Sequence, residues 1–175
     1  MSEAGFTMAD LAAMDHAAFM RAFGEVFEHS PWVAEAAWAQ RPFAGVGALH
    51  DAMMAAVRAA PAAQQMAFLN RHPELAGAEA QAGTMTGHST FEQQGGGLDA
   101  LSHDELLELR RLNAVYAQRH GFPFIIAVLG HTKPRIFEAL RLRAQRESHD
   151  EIDTALAQIA AITRRRLGAL FSALR

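Results

Sequence analysis

The stretch from Ser148 to Leu170 reads SHDEIDTALAQIAAITRRRLGAL, and its apolar residues recur with the period of an α-helix. At 100° per residue, several apolar-face side chains fall within about 40° of one direction, namely Ile152, Leu156, Ile159, Thr163 and Leu170. Ser148 and Glu151 have the spacing of a capping box, in which each side chain bonds the other residue's backbone N–H. The stretch therefore predicts a helix of roughly 40 Å near the end of the chain.

The rest of the chain also favours helices. Apolar side chains that begin at Phe19 recur along one face of a helix that Asp15 can cap. The spacing of a capping box occurs at three places, Ser89/Glu92, Ser102/Glu105 and Ser148/Glu151. Gly121 is placed to end the helix that the second of these boxes opens.

Two segments lack a clear period. Residues 73–88 contain three glycines and are expected to form a loop. The run 122–129 is apolar, and periodicity alone does not separate a buried strand from a buried helix. Because no partner strand is evident, we predict a helix there. We expect residues 1–175 to form a single all-α domain, a bundle of at least six helices with a long C-terminal helix and no substantial sheet.

Composition excludes several classes of function. Half of the residues are apolar, and the net charge of −3 comes without a dense Lys/Arg patch, which argues against nucleic acid. No stretch approaches the ~20 apolar residues of a membrane span. The lack of cysteine excludes disulfides and cysteine-based zinc sites and fits a reducing compartment. Residues 1–15 carry acidic side chains and no long apolar run, so we expect no signal peptide and predict a cytoplasmic location.

His72-Pro73 is the first candidate for chemistry. Proline disfavours helical geometry in the residue before it, so a helix should end at His72 and leave the imidazole at its terminus. One interpretation is a proton-handling role. The other is a solvated histidine whose charge suits the C-terminal end of the helix dipole. None of the nine histidines has a metal-ligand spacing and no phosphate-binding glycine loop is present, so we predict neither a metal nor an organic cofactor.

The segment Ser89-Thr90-Phe91-Glu92-Gln93 has two compatible interpretations. Its serine and glutamate can serve only to cap a helix. The N-terminus of that helix would also offer N–H donors and a positive potential to a polar, anionic ligand. The Gln93 amide can both donate and accept hydrogen bonds.

Arg166 falls on the apolar face of the C-terminal helix, whereas Arg164 and Arg165 point away from it. A buried guanidinium must be paired, because burying a lone charge is very costly. An internal salt bridge would satisfy it. A bidentate grip on a substrate carboxylate would do so as well.

These segments, together with Gly121-Phe122-Pro123-Phe124-Ile125-Ile126, resemble the OHCU decarboxylases in order and spacing. That family converts 2-oxo-4-hydroxy-4-carboxy-5-ureidoimidazoline (OHCU) to (S)-allantoin in urate degradation, and the likeness runs from about Met8 to the C-terminus. It implies a cofactor-independent carboxy-lyase of purine catabolism that forms a homodimer. It implies three catalytic residues, His72, Glu92 and Arg166. It also implies a substrate pocket bordered by Pro73, Ser89, Gln93, Phe124, Ile125 and Ile126. Leu129 departs from the pattern, since a basic residue is usual there.

The residues by themselves also allow a non-catalytic helical module that binds a small ligand or a partner helix. Its surface would be the N-terminal half that is rich in Phe and Met, with Phe19, Met20, Phe23, Phe27, Met53 and Met54. The same side chains are equally explained as core. A histidine-dependent hydrolase is less favoured, because no nucleophile and base pair can be defined.

Overall fold

The computed structural model describes residues 5–172, and every regular element in that range is an α-helix. The helices are α1 (Met8–Ala13), α2 (His16–Phe23), α3 (Trp32–Trp38), α4 (Val46–Ala59), α5 (Ala62–Leu69), α6 (Ala78–Ala82), α7 (Gly87–Gly95), α8 (His103–His120), α9 (Lys133–Arg143) and α10 (Ser148–Ser172). The predicted all-α fold is confirmed, as is the long C-terminal helix, which has 25 residues. Among the described helices, none combines the length and apolar composition needed to cross a membrane.

The chain divides into two compact units. The first comprises residues up to Gln65 together with those from Ala160 onward. In this unit α2 begins as predicted at Asp15, whose carboxylate accepts the Ala18 N–H at 2.8 Å. The core consists of fully buried apolar side chains, chiefly Phe19, Phe23, Phe27, Val33, Leu49, Met53, Val57 and Leu167. Each of the larger ones stabilises the fold by about 1.5–3 kcal/mol through removal of its surface from water.

The second unit comprises residues Met66–Ile159. Its α8 begins with the predicted capping box, in which Ser102 Oγ accepts the Glu105 N–H at 3.1 Å and Glu105 Oε2 accepts the Ser102 N–H at 2.8 Å. Gly121 ends the helix, as predicted, with a left-handed φ of 80° that suits glycine. The core of this unit includes Leu69, Leu109, Leu112, Tyr116, Phe122, Phe124, Ile136, Leu140, Ala155 and Ile159.

The predicted capping box at Ser89 and Glu92 is wrong. Helix α7 begins at Gly87, and its cap is Thr86, whose hydroxyl accepts the Ser89 N–H at 3.3 Å. Ser89 is therefore already inside the first turn, where its side chain is buried. Threonine and serine both cap helices well, so the pattern alone does not decide between two candidates three residues apart.

The capping box at Ser148 and Glu151 is wrong for a different reason. The Glu151 side chain is fully buried and accepts a hydrogen bond from the Tyr116 hydroxyl at 2.7 Å. It also forms an ion pair with Arg143. The Glu151 carboxylate therefore binds Tyr116 and Arg143, which lie outside the helix whose end the local pattern predicted it to cap.

The predicted helix over residues 122–129 is also wrong, because this segment is irregular and contains neither helix nor strand. Side chains satisfy its backbone in place of a ladder of backbone bonds. Arg143 Nη1 donates to the Ile125 carbonyl at 2.8 Å, and the Ala127 N–H donates to Gln158 Oε1 at 3.0 Å. The loop expected over residues 73–88 in turn contains the short helix α6.

Candidate active site

His72 lies just beyond the end of α5, which confirms the predicted helix break. Its backbone N–H still bonds the Leu69 carbonyl at 3.2 Å, and Pro73 then turns the chain away. The imidazole is buried, with 9% of its surface exposed, and meets the Phe68 ring edge-on at 5.4 Å. The interpretation as a solvated helix-end histidine therefore does not hold.

The tautomer of His72 follows from its contact with the backbone. Nδ1 lies 3.3 Å from the Phe68 carbonyl, which can only accept a hydrogen bond. This contact favours the tautomer with its proton on Nδ1, so the lone pair resides on Nε2. In that tautomer Nε2 is the acceptor nitrogen of the ring.

Helix α7 supplies the second group of predicted site residues. Ser89 and Gln93 are buried one turn apart, and Glu92 is half-buried. Gln93 Oε1 accepts the Ala76 N–H at 2.9 Å, which ties α7 to the turn that follows His72. Within the second unit, this hydrogen bond links the helix that carries Ser89 and Glu92 to the turn that follows His72.

The segment after α8 supplies Phe124, Ile125 and Ile126, all of which are buried. The Arg143 guanidinium lies 4.5 Å above the Phe124 ring and bonds the Ile125 carbonyl. Leu129, where a basic residue is usual, packs so closely on α7 that a Cβ added at Gly95 would collide with it. An apolar side chain at this position therefore has a packing role in this chain.

Arg166 lies on α10 in the first unit, whereas His72 and Glu92 lie in the second. It is buried, with 5% of its surface exposed, while Arg164 and Arg165 are exposed, so the predicted helical phase is confirmed. Its Nη1 donates to Glu28 Oε2 at 3.0 Å and to the Val26 carbonyl at 3.2 Å. The internal salt bridge is thus present, and the convergence of the three residues on one pocket stays a prediction.

Several polar residues near these segments were missed by the sequence analysis. Glu28 follows the end of α2 and carries no periodic signal, although only 1% of its surface is exposed. Tyr116 and Arg143 flank Glu151 in the second unit. Burial, and then the hydrogen bond to Glu151, raise the pKa of the Tyr116 hydroxyl well above its usual range. Arg143 holds the backbone near Phe124 through its bond to the Ile125 carbonyl, and none of these groups is expected to react.

An open cavity of about 320 Å³ lies in the second unit beside α6, α7 and the first turn of α8. Its walls include Ala76, Thr90, Leu98 and Leu106, and Gln93 is the predicted site residue that lines it. Across the described part of the chain, no three His, Asp or Glu side chains are grouped closely enough to hold a metal ion. The requirement for no cofactor stays a prediction.

Residues 12–168 match the model of the family described as OHCU decarboxylase. The chain belongs to the OHCU decarboxylase family. A mouse protein named 2-oxo-4-hydroxy-4-carboxy-5-ureidoimidazoline decarboxylase is 37% identical over 95% of this chain and 93% of its own length. A Haloferax volcanii protein of the same name is 38% identical over 95% of this chain and 96% of its own length. A crystal structure of (S)-allantoin synthase superposes with a TM-score of 0.74 and 29% identity, over 94% of this chain and 54% of that one.

Membership of the OHCU decarboxylase family confirms the resemblance drawn from the three sequence segments. Proteins named for this activity are carboxy-lyases, and the all-α fold agrees with the structural neighbour. The roles of individual residues are a separate matter, and the assignments to His72, Glu92 and Arg166 stay predictions.

Proposed function

We propose that this chain catalyses the decarboxylation of OHCU to (S)-allantoin in urate degradation, with neither a metal nor an organic cofactor. The observation that carries the proposal is the match to the OHCU decarboxylase family along almost the whole chain. The buried imidazole of His72, whose contact with the Phe68 carbonyl favours the tautomer protonated at Nδ1, supports it chemically.

The reaction does not require the protein to supply an electron sink. Loss of CO₂ leaves an electron pair on the former carboxyl-bearing carbon of the substrate. That pair can delocalise into the adjacent C=N and carbonyl groups of the ring, so the substrate supplies its own electron sink. The protein must then position the carboxylate, stabilise the developing charge and deliver one proton to one face of the neighbouring, ureido-bearing carbon, while the hydroxyl on the former carboxyl-bearing carbon loses its proton and becomes a ring carbonyl.

Three side chains are assigned to these tasks. Arg166 would hold the departing carboxylate, and Glu28, which accepts a hydrogen bond from Nη1, would orient the guanidinium. His72 would act as the acid–base group: it would accept the proton of the adjacent hydroxyl and donate a proton to the carbanion. Glu92 would accept hydrogen bonds from the ureido N–H groups or orient His72.

The remaining predicted residues would shape the pocket. Pro73 and Ser89 border the turn and the first turn of α7, and Phe124, Ile125 and Ile126 would form an apolar wall against the ring. A dry wall of this kind strengthens the electrostatic contacts inside the site. The resemblance implies that Gln93 would also border the pocket, and its amide accepts the Ala76 N–H.

The domain organisation, assembly and location form part of the same proposal. We assign both units to one domain, because the family match runs through residues 12–168 of the two of them. We also expect a homodimer in the cytoplasm. Light scattering during gel filtration tests the homodimer, and cell fractionation tests the cytoplasmic location.

The rival interpretation, a non-catalytic binding module, loses its proposed surface in this structure. Of its six side chains, Phe19, Phe23, Phe27, Met53 and Met54 are buried, with at most 2% of their surfaces exposed, and Met20 is half-buried. Side chains that fill a core cannot also present a docking face to a partner. No observation on the described residues favours the module over the enzyme.

The direct experiment supplies freshly generated OHCU and follows optical activity. Uncatalysed protonation on either face yields racemic allantoin, so a growing circular dichroism signal of one sign reports the enzyme. His72→Ala should reduce that signal to background while leaving the helical far-UV spectrum intact. The control is His103→Ala, at an exposed histidine on α8, which should keep full activity. Racemic product at the uncatalysed rate with the unaltered protein would refute the proposal.

A further inference from the structure

The turn that follows His72 contains a backbone conformation that is costly for its residue. Ala76 has a φ of +47°, in the left-handed region that residues with a Cβ seldom adopt. The residue is buried, with 7% of its surface exposed. Such a conformation persists only where the surroundings impose it, and it is common next to functional groups.

Three side-chain amides impose this conformation, each from a different helix. Gln93 on α7 accepts the Ala76 N–H at 2.9 Å. Gln81 on α6 donates to the Ala76 carbonyl at 3.1 Å. Asn113 on α8 donates to the Leu75 carbonyl at 3.0 Å. The backbone on both sides of the strained peptide is therefore held by groups outside the turn.

Asn113 is the most informative of the three. Only 1% of its surface is exposed, and its Oδ1 has no hydrogen-bond partner among residues 5–172. Burying an amide oxygen without a partner opposes folding, and an apolar side chain of similar size would avoid that cost. The useful contribution of the amide is therefore its donated bond to Leu75, three residues after His72.

We propose that Asn113 and Gln93 are positioning residues, which hold the strained turn so that the His72 imidazole keeps the placement that proton transfer requires. The proposal rests on the proposed function of His72. Neither residue needs to touch the substrate for this role. For Gln93 the role differs from the substrate contact that the family likeness implies.

The first test compares two variants that each lose side-chain amide bonds. Asn113→Leu removes the bond to the turn. Gln65→Leu is the matched control, because the Gln65 amide bonds the carbonyls of Arg58 and Ala60 instead. For Asn113→Leu we expect kcat to fall about 10- to 100-fold with KM within about twofold, since small misplacements of a catalytic group have effects of that size. Gln65→Leu should keep kcat even if it lowers the melting temperature as much. Equal kcat in the two variants would overturn the proposal.

A second test uses rescue, which a purely structural role would not produce. Glycine adopts the left-handed region freely, so Ala76→Gly reduces the need for the amide bonds. Added to Asn113→Leu, it should restore a substantial part of kcat, and added to Gln65→Leu it should change nothing. If Asn113→Leu fails to fold, Gln93→Met takes its place in the same comparison. Strictly additive effects would count against the proposal.

A spectroscopic measurement separates this proposal from the proposed function. Nuclear magnetic resonance of the His72 imidazole in the unaltered protein, Asn113→Leu and Gln65→Leu reports the placement of the ring without any substrate. We expect its resonances to shift or broaden in Asn113→Leu only. If the unaltered protein does not decarboxylate OHCU, the proposed function fails while this result still decides whether the amides position His72. An unchanged imidazole in Asn113→Leu would show that they do not.

Discussion

Glu28 and Arg166 form a buried ion pair within the first unit, with Oε2 and Nη1 3.0 Å apart and 1% and 5% of the two side chains exposed. The two residues are 138 positions apart in the chain. The pair fixes the guanidinium in a single orientation, because Nη1 also bonds the Val26 carbonyl. A rigid guanidinium is suited to bidentate recognition of a carboxylate.

Arg166→Lys should be far less conservative than it looks. Lysine presents a point charge where arginine presents a planar fork, and one lost charge-assisted contact is worth about 1.5–3 kcal/mol. We expect kcat/KM for OHCU to fall by about one to two orders of magnitude in steady-state assays. Arg164→Lys and Arg165→Lys, at exposed positions on the same helix, are the matched controls and should be nearly neutral. An essential Arg165 together with a dispensable Arg166 would show that the assignment is off by one residue.

Truncating one member of the ion pair should destabilise the protein more than removing both. Glu28→Ala leaves the buried guanidinium without its carboxylate, and such a change costs about 3–5 kcal/mol of unfolding free energy. The double variant Glu28→Ala/Arg166→Met should recover part of that loss, because no lone charge remains. Urea denaturation monitored by circular dichroism measures both. If the single and double variants are equally unstable, the pair contributes through packing and not through charge.

Stability should fall on mild acidification because of His50. This histidine is buried, its Nε2 lies 3.0 Å from the Thr163 hydroxyl, and burial followed by the nearby Arg164 charge lowers its pKa. Below the unfolded pKa of about 6.5 the unfolded chain therefore binds more protons than the folded one, and the stability present at higher pH is lost.

The measurement is the unfolding free energy from urea titrations between pH 7.5 and pH 5. We expect it to decline below about pH 6.5 in the unaltered protein and to decline less in His50→Gln. His103→Gln, at an exposed position, is the control and should follow the unaltered protein. Parallel curves for all three proteins would exclude His50 as the source.

Prolonged dialysis against EDTA should leave turnover unchanged. The expectation rests on the chain's lack of cysteine and of metal-spaced histidines, and on a substrate that supplies its own electron sink. Initial rates with OHCU before and after dialysis give the comparison. Reversible loss of turnover that zinc or manganese restores would contradict the expectation. A dialysed sample incubated with magnesium serves as the control for a general ionic effect.

The sequence predicted those features that local chemistry determines. Asp15, Ser102 and Gly121 start and end their helices as expected, because caps act over three or four residues. The inward phase of Arg166 followed from the period of α10 alone. Features that depend on distant partners were not predictable in this way. The spacing of Ser148 and Glu151 predicts a cap, and nothing in that spacing indicates that Glu151 instead pairs with Arg143.

The apolar run 122–129 illustrates the same limit. Its conformation depends on Arg143, 18 positions after Ile125, and on Gln158, 31 positions after Ala127. The periodicity of the run carries no information about those bonds. It therefore cannot distinguish a helix or a strand from an irregular segment. In the site, likewise, the helix break at His72 was predictable, whereas the strained Ala76 that follows it was not.

The burial of Tyr116 gives the protein a built-in optical reporter. The chain contains a single tyrosine and two tryptophans; Tyr116 belongs to the second unit, whereas Trp32 and Trp38 lie on α3 of the first. Because burial raises the pKa of its hydroxyl, alkaline absorbance near the phenolate band should appear only once the second unit opens. Tryptophan fluorescence will follow the first unit in the same cuvette. Coincident transitions would mean that the two units unfold cooperatively, and separated ones would give each unit its own stability.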